Sequence, residues 1–197
     1  MHIKPYSFFL FLLLLNGVHS QTVSFRITLW GDSVGRMDVI KTFDKDSNTV
    51  YTIESKSQVK FLWMEKNGYS KFIAVYRNGK MISSSHTETE NGKTKRSTQV
   101  KHDGKMYQVN SLEEGNKSFS DPPLCSDASI YFTDCENLKC IFYLPDARLY
   151  EMKKTAVNTM EFKSADGHRN VYLFDNGKIK GMEFHLPLAT VYMTKIN

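Results

Sequence analysis

Between Val50 and Asn110 the chain carries four turn dipeptides: Asn67-Gly68, Asn78-Gly79, Asn91-Gly92 and Asp103-Gly104. Such pairs supply the two positive-φ residues of a type I′ turn, whose twist matches that of the strands it joins. The runs between them are rich in Val, Ile, Thr, Tyr and Phe, the residues that suit a pleated surface. A chain punctuated in this way is constrained to an antiparallel β-meander. Asp166-Gly167 and Asn176-Gly177 repeat the signal further on.

The flanking segments follow the same logic. Val23, Phe25, Ile27 and Leu29 share one parity, with Ser24, Arg26 and Thr28 on the other. That alternation marks a strand with one buried face. After a turn at Gly31–Gly35, Arg36 to Asp44 forms a second strand. Thr49 to Glu65 reads as one long strand, and at ~3.3 Å per residue it is too long to stay straight in a domain of this size. A bend or bulge is expected near Ser55–Ser57, where the side chains are small. Ser70 to Arg77 is apolar on both faces. Lys80–Glu90 and Lys93–His102 carry few apolar residues on either face, so this half of the meander is expected to project from the core or border water. Ser111 to Pro123 reads as a polar loop. Cys125–Phe132, with Ser126 and Asp127 as caps, reads as a short helical segment near one opening of the fold. Further strands are expected through Ile196.

A meander of this size leaves two unpaired edges unless it curls or packs as two sheets. The expected fold is therefore all-β: a strongly curved antiparallel meander, a barrel or half-barrel, with one short helical segment. A two-sheet sandwich is the alternative.

Residues 1–20 have the form of a signal peptide: Lys4, an apolar run from Ser7 to Val18, then Val18-His19-Ser20 as a small-x-small cleavage site. The apolar run is shorter than the ~20 residues that span a bilayer. Cleavage is expected between Ser20 and Gln21, leaving residues 21–197 as a single exported domain, periplasmic or secreted and not membrane-spanning. The net charge of +5 is modest, and neither zinc-finger spacing nor an RNA-binding aromatic pattern occurs, so nucleic acid is not expected as a partner. Cys125, Cys135 and Cys140 are close in sequence. In an oxidising compartment they imply one disulfide of undetermined pairing. A metal site would need a fourth ligand and tighter spacing.

Nothing in the motifs requires catalysis. The nucleophile elbow, the P-loop, H-E-x-x-H and the dinucleotide fingerprint are absent. His86, His102, His168 and His185 read as structural or solvated. Glu113, Glu114, Asp127, Asp134 and Glu136 read as a solvated acidic loop. Lys93, Lys95, Arg96, Lys101 and Lys105 read as a charged defence against edge pairing. No catalytic, cofactor or metal residue is assigned.

The motifs also carry a resemblance. Phe25–Trp30 leading into Gly31–Gly35, Tyr51–Ser57, Val59–Leu62, the phrase Tyr76–Ser85 and the ending Leu188–Met193 resemble an uncharacterised family of exported proteins from bacteroidete-type bacteria, domain of unknown function 6134. The likeness to domain of unknown function family 3108 is more distant. The resemblance implies an exported β-fold and no catalytic residues, and the cysteine cluster falls outside its pattern. The expected role is non-catalytic binding in the cell envelope of an apolar or amphipathic, lipid-like ligand. Tyr51, Phe61, Trp63, Phe72 and Tyr76 are the expected lining. The alternative is a structural or partner-docking envelope protein using the polar strands Lys80–His102 as an edge.

Overall fold

The structure is a computed structural model that describes residues 20–61, 63–120, 125–134 and 138–196; the expected signal peptide lies outside the described residues except for Ser20. The first meander comprises β1 (Gln21–Leu29), β2 (Asp32–Phe43), β3 (Thr49–Phe61), β4 (Met64–Arg77), β5 (Lys80–Glu90), β6 (Lys93–His102), β7 (Tyr107–Ser111) and β8 (Gly115–Phe119). A hairpin, β9 (Cys140–Tyr143) and β10 (Arg148–Glu151), follows. The second meander comprises β11 (Lys153–Ala156), β12 (Thr159–Lys163), β13 (Arg169–Asp175), β14 (Lys178–His185) and β15 (Thr190–Lys195).

The two meanders form one antiparallel sheet of 13 strands in the order β11-β12-β13-β14-β15-β1-β2-β3-β4-β5-β6-β7-β8. The pairing of β15 with β1, Phe25 opposite Lys195 through Leu29 opposite Val191, joins them. The fold is thus the curved all-β meander that the turns imply. The sandwich alternative is replaced by a single sheet that curls without closing, its edges at β8 and β11. Register shifts at Ile27/Thr28, Val75/Tyr76, Glu88/Thr89 and Leu173/Phe174 add the local twist that curling requires.

Residues 125–134 and 138–152 fill the curl. A turn leads into one 3-10 turn, Ile130–Phe132. A bridge from Ser126 to Phe142 stitches this stretch to β9. Ala128, Ile130, Ile141, Phe142 and Leu144 are fully buried. The plug packs against β1, β8 and β12. Tyr131 meets Phe25 of β1 edge-on at 5.5 Å. Phe142 meets Phe119 of β8 at 5.3 Å, and Tyr143 meets Phe162 of β12 at 5.2 Å. The hairpin therefore bridges the flanks of the open sheet by side-chain packing rather than by backbone hydrogen bonds.

Four sequence expectations are corrected. Thr49–Glu65 is not one strand, because the chain reverses between the end of β3 at Phe61 and the start of β4 at Met64. Asn67-Gly68 is not a turn but lies inside β4, with Gly68 opposite Ser57 and Glu90; the preceding hairpin has already reversed the chain. The short helical segment sits beneath the sheet as its filling, not at an opening, because its apolar residues face inward. The polar strands β5 and β6 are neither an edge nor projecting. Each is paired on both sides, and Ser84, His86 and Thr98 are buried on the inner face; Thr98 donates to the carbonyl of Pro145 in the plug at 3.2 Å.

Candidate functional site

The plug fills one end of the curl. At the other end a cavity of about 290 Å³ remains between plug and sheet. One wall comes from β2 to β6 (Met37, Ile53, Phe72, His86), the other from β13 to β15 (Tyr172, Phe184, Val191, Met193), and the floor from Asp127, Tyr131, Tyr143 and Pro145. Leu186, beyond the end of β14, lines the mouth and is part exposed. Alternation along the strands places these side chains. Met37 and Val39 in β2, or Ser84 and His86 in β5, face inward because residues two apart share a face.

His86 is the polar group of the wall. Register places it opposite Phe72, and the rings stack with centroids 4.1 Å apart and planes 11° from parallel. Its Nε2 lies 3.3 Å from the Ser70 hydroxyl. Its Nδ1 is buried with no protein partner. Burial, and then the nearby Arg96 guanidinium, pushes the imidazole down to about 4, so it is neutral near pH 7.

Asp127 is its counterpart on the floor. Its backbone N–H donates to the carbonyl of Phe142 at 3.2 Å, which fixes the side chain beneath the sheet. The residue is 6% exposed, and Oδ1 has no protein partner. Burial raises the carboxyl well above its ordinary range against the pull of the Leu144 backbone N–H, and Asp146 adds to the rise. The shift favours the protonated form of this carboxyl. The buried Tyr131 and Tyr143 hydroxyls are also pushed up, chiefly by burial, and keep their protons; Tyr131 donates to Met182 Sδ at 3.2 Å.

Arg96 lies at the mouth on the inward face of β6. Carboxylates surround it: Asp166 at 3.7 Å, Glu113 at 3.8 Å and Glu88 at 4.0 Å. Its charge is neutralised before any ligand arrives. Among the described residues no group of three or more His, Cys, Asp or Glu is arranged to hold a metal ion, and no helix is long and apolar enough to cross a membrane.

The expected lining residues part company here. Phe72 lines the cavity. Tyr76 is buried, but its hydroxyl donates to Ser126 Oγ at 2.9 Å and so anchors the plug. Tyr51 packs edge-on against Tyr76 at 5.5 Å and stacks on Phe132 at 5.8 Å, also holding the plug. Trp63 is 86% exposed at the β3–β4 turn and lines nothing. The Phe61 side chain lies outside the described set. Cys125 and Cys140 are not bonded to each other, and Cys135 lies outside the described residues. Ser20 is exposed ahead of β1, which begins at Gln21.

Sequence reasoning missed His86, Asp127 and Arg96 as site residues. The parity shared by Ser84 and His86 was an available signal for His86. Asp127 offered none, since its burial depends on the plug. The acidic stretch does not act as one cluster. Asp134 pairs with Lys178 at 2.5 Å, and Glu114 pairs with Lys117 and Arg148. Of the remaining histidines, His168 pairs with Asp166 at 2.9 Å and His185 with Glu183 at 3.0 Å.

The family model described as Domain of unknown function (DUF6134) matches residues 25–196. No functionally curated protein matches the chain. Among solved structures, the crystal structure of a beta-barrel-like protein of domain of unknown function DUF1849 from Brucella abortus is similar, with a TM-score of 0.57 at 11% sequence identity. The alignment covers 91% of this chain and 96% of that one. At that identity the likeness concerns the fold.

Proposed function

This chain belongs to the DUF6134 family, a domain of unknown function, and on that premise we propose that it is a non-catalytic binding module for a small apolar or amphipathic ligand held inside the curl. The observation that carries this reading is the cavity of about 290 Å³, walled mainly by apolar side chains. That volume lies near the lower bound of ligand pockets, ~300 Å³. It is about twice that of an engineered apolar cavity that takes benzene, ~150 Å³, which suggests a ligand of roughly a dozen non-hydrogen atoms.

The reading takes the protein to be exported, with residues 1–20 as its leader, and to work in the periplasm or outside the cell. Amino-terminal sequencing of the exported protein should begin at Gln21; an intact Met1 would remove the export part.

Binding is tested by thermal unfolding with an eight-carbon panel (octan-1-ol, octanamide, octanoate, octylamine), together with native mass spectrometry of the purified protein. A ligand at 100 times its dissociation constant stabilises the folded state by about 2.7 kcal/mol, which is readily seen as a rise in Tm. No rise with any member of the panel, and no co-purifying small molecule, would remove the binding reading.

A further inference from the structure

Both tryptophans of the chain, Trp30 and Trp63, sit on hairpin tips and are exposed, Trp30 by 61% and Trp63 by 86%. Leu188, in the β14–β15 turn, is 93% exposed. The three hairpins are neighbours, because the sheet runs β14-β15-β1-β2-β3-β4 through them. Register turns their tips toward one end. Phe184 lies opposite Val191, Val191 opposite Leu29, and Leu29 opposite Asp32. Gly35 lies opposite Ser57, from which β3 runs on to Phe61. That end is the mouth of the cavity, where Leu186 of the β14–β15 turn lines the opening.

Trp30 holds its place against local preference. Its φ is 52°, in the left-handed region that a bulky side chain rarely adopts. The β4–β5, β5–β6 and β13–β14 tips put Asn78, Asn91 and Asn176 in that conformation. An outlier of this kind points to a role for the side chain itself. The surroundings say what covers these tips. All six strands are paired on both sides, so no strand edge is free here for a partner chain to extend. The apolar residues stand on three separate tips, not in a groove. The turns, residues 30–31, 62–63 and 186–189, contain no charged residue, whereas the β7–β8 and β12–β13 turns at the same end carry Glu113, Glu114 and Asp166. Tryptophan, an apolar ring with one N–H, settles at the boundary between water and lipid.

We propose that the β14–β15, β1–β2 and β3–β4 tips form a docking surface for a lipid bilayer, with Leu188, Trp30 and Trp63 inserted at its interface and the cavity mouth turned toward the lipid. This goes beyond the binding reading above and does not require a ligand in the cavity. Insertion is apolar, so a phosphatidylcholine surface without net charge suffices.

The test is flotation of the purified exported protein with phosphatidylcholine vesicles. Tryptophan emission is the second readout, because both tryptophans lie on the tips. Half of the protein should float at about 0.1 mM lipid, the strength of a single acyl anchor, ~10⁴ M⁻¹. Emission should move to shorter wavelength, and brominated acyl chains should quench it. Raising salt from about 0.1 M to about 0.5 M should change binding by less than about twofold, since screening acts on charge. Trp63→Ser combined with Leu188→Ser should weaken flotation at least about tenfold, and Trp30→Asn, which fits the turn, about threefold. Val157→Ser should leave it unchanged: Val157 is 80% exposed, but the β11–β12 turn lies at the opposite end. No flotation at about 1 mM lipid, a hundredth or less of an acyl anchor's share left unbound being irrelevant there, overturns the proposal and leaves the cavity reading to its own panel. Flotation that needs anionic lipid and falls with salt overturns it, as does equal loss in Val157→Ser. A dimer in sedimentation that Trp63→Ser with Leu188→Ser dissociates overturns it too, and assigns the tips to a second copy of the chain.

Discussion

Burial has opposite consequences for His86 and Asp127. The imidazole is held near 4, against 6.5 when exposed. Between those values the unfolded chain binds a proton that the folded chain does not, so this group makes stability rise with pH from about 4 to 6.5. Its full contribution is about 3 kcal/mol. The carboxyl of Asp127 is raised from 3.8. Above that value the folded chain holds a proton that the unfolded chain releases, so this group makes stability fall as pH rises. In wild type the two slopes partly cancel. Urea unfolding of Asp127→Asn at pH 4.5 and pH 7 should show a steeper rise with pH than wild type, and His86→Phe a shallower one. Identical slopes in all three proteins would mean that neither group is buried in this way. Neither role was legible in the sequence. A histidine in ISSSHTETE and an aspartate after Cys-Ser both look solvated, and only the surface packed against them decides otherwise.

At the scale of elements, local signals worked where the backbone conformation itself is the constraint. Asn78-Gly79, Asn91-Gly92 and Asn176-Gly177 all have positive φ at both residues, as type I′ turns demand. Asn67-Gly68 has the same letters, but the partner strand uses the glycine differently. A Cβ on Gly68 would come within 2.7 Å of Ser57 Oγ, and one on Gly35 would come within 2.2 Å of the Lys56 carbonyl oxygen and 2.8 Å of Ser57 Cα. The first obstacle is the end of a side chain that can rotate; the second is backbone beside the β1–β2 bulge. Gly35→Ala is therefore expected to lose about 1–3 kcal/mol, as overpacking does, and Gly68→Ala clearly less. Chemical denaturation ranks them, and equal losses would show that the backbone at Gly35 can yield.

For the whole molecule, the filling is as important as the sheet. An open sheet of 13 strands with an empty concave face would leave its apolar inner surface in water, and residues 125–134 and 138–152 reduce that exposure. Ile130→Ala and Ile141→Ala, both fully buried plug positions, should each cost about 2–5 kcal/mol. They should do so without separating the transitions: near-ultraviolet and far-ultraviolet signals should fall together, because Tyr131, Phe142 and Tyr143 pack against β1, β8 and β12. A sheet signal surviving loss of the aromatic signal would show that the meander stands without its plug.

Period-two alternation and positive-φ turn pairs belong to a few consecutive residues, so the sequence by itself determined an antiparallel meander. Simple edge counting added that it must curl. The pairing of β15 with β1, the placing of 125–134 and 138–152 inside the curl and the inward turn of Ser84, His86 and Thr98 were decided only by the tertiary structure. Each depends on which distant segment comes to lie against a given face. A polar residue two places from another polar residue is solvated or buried according to that neighbour, and the cavity on His86 and Asp127 exists only because the plug ends short of the curl's open end.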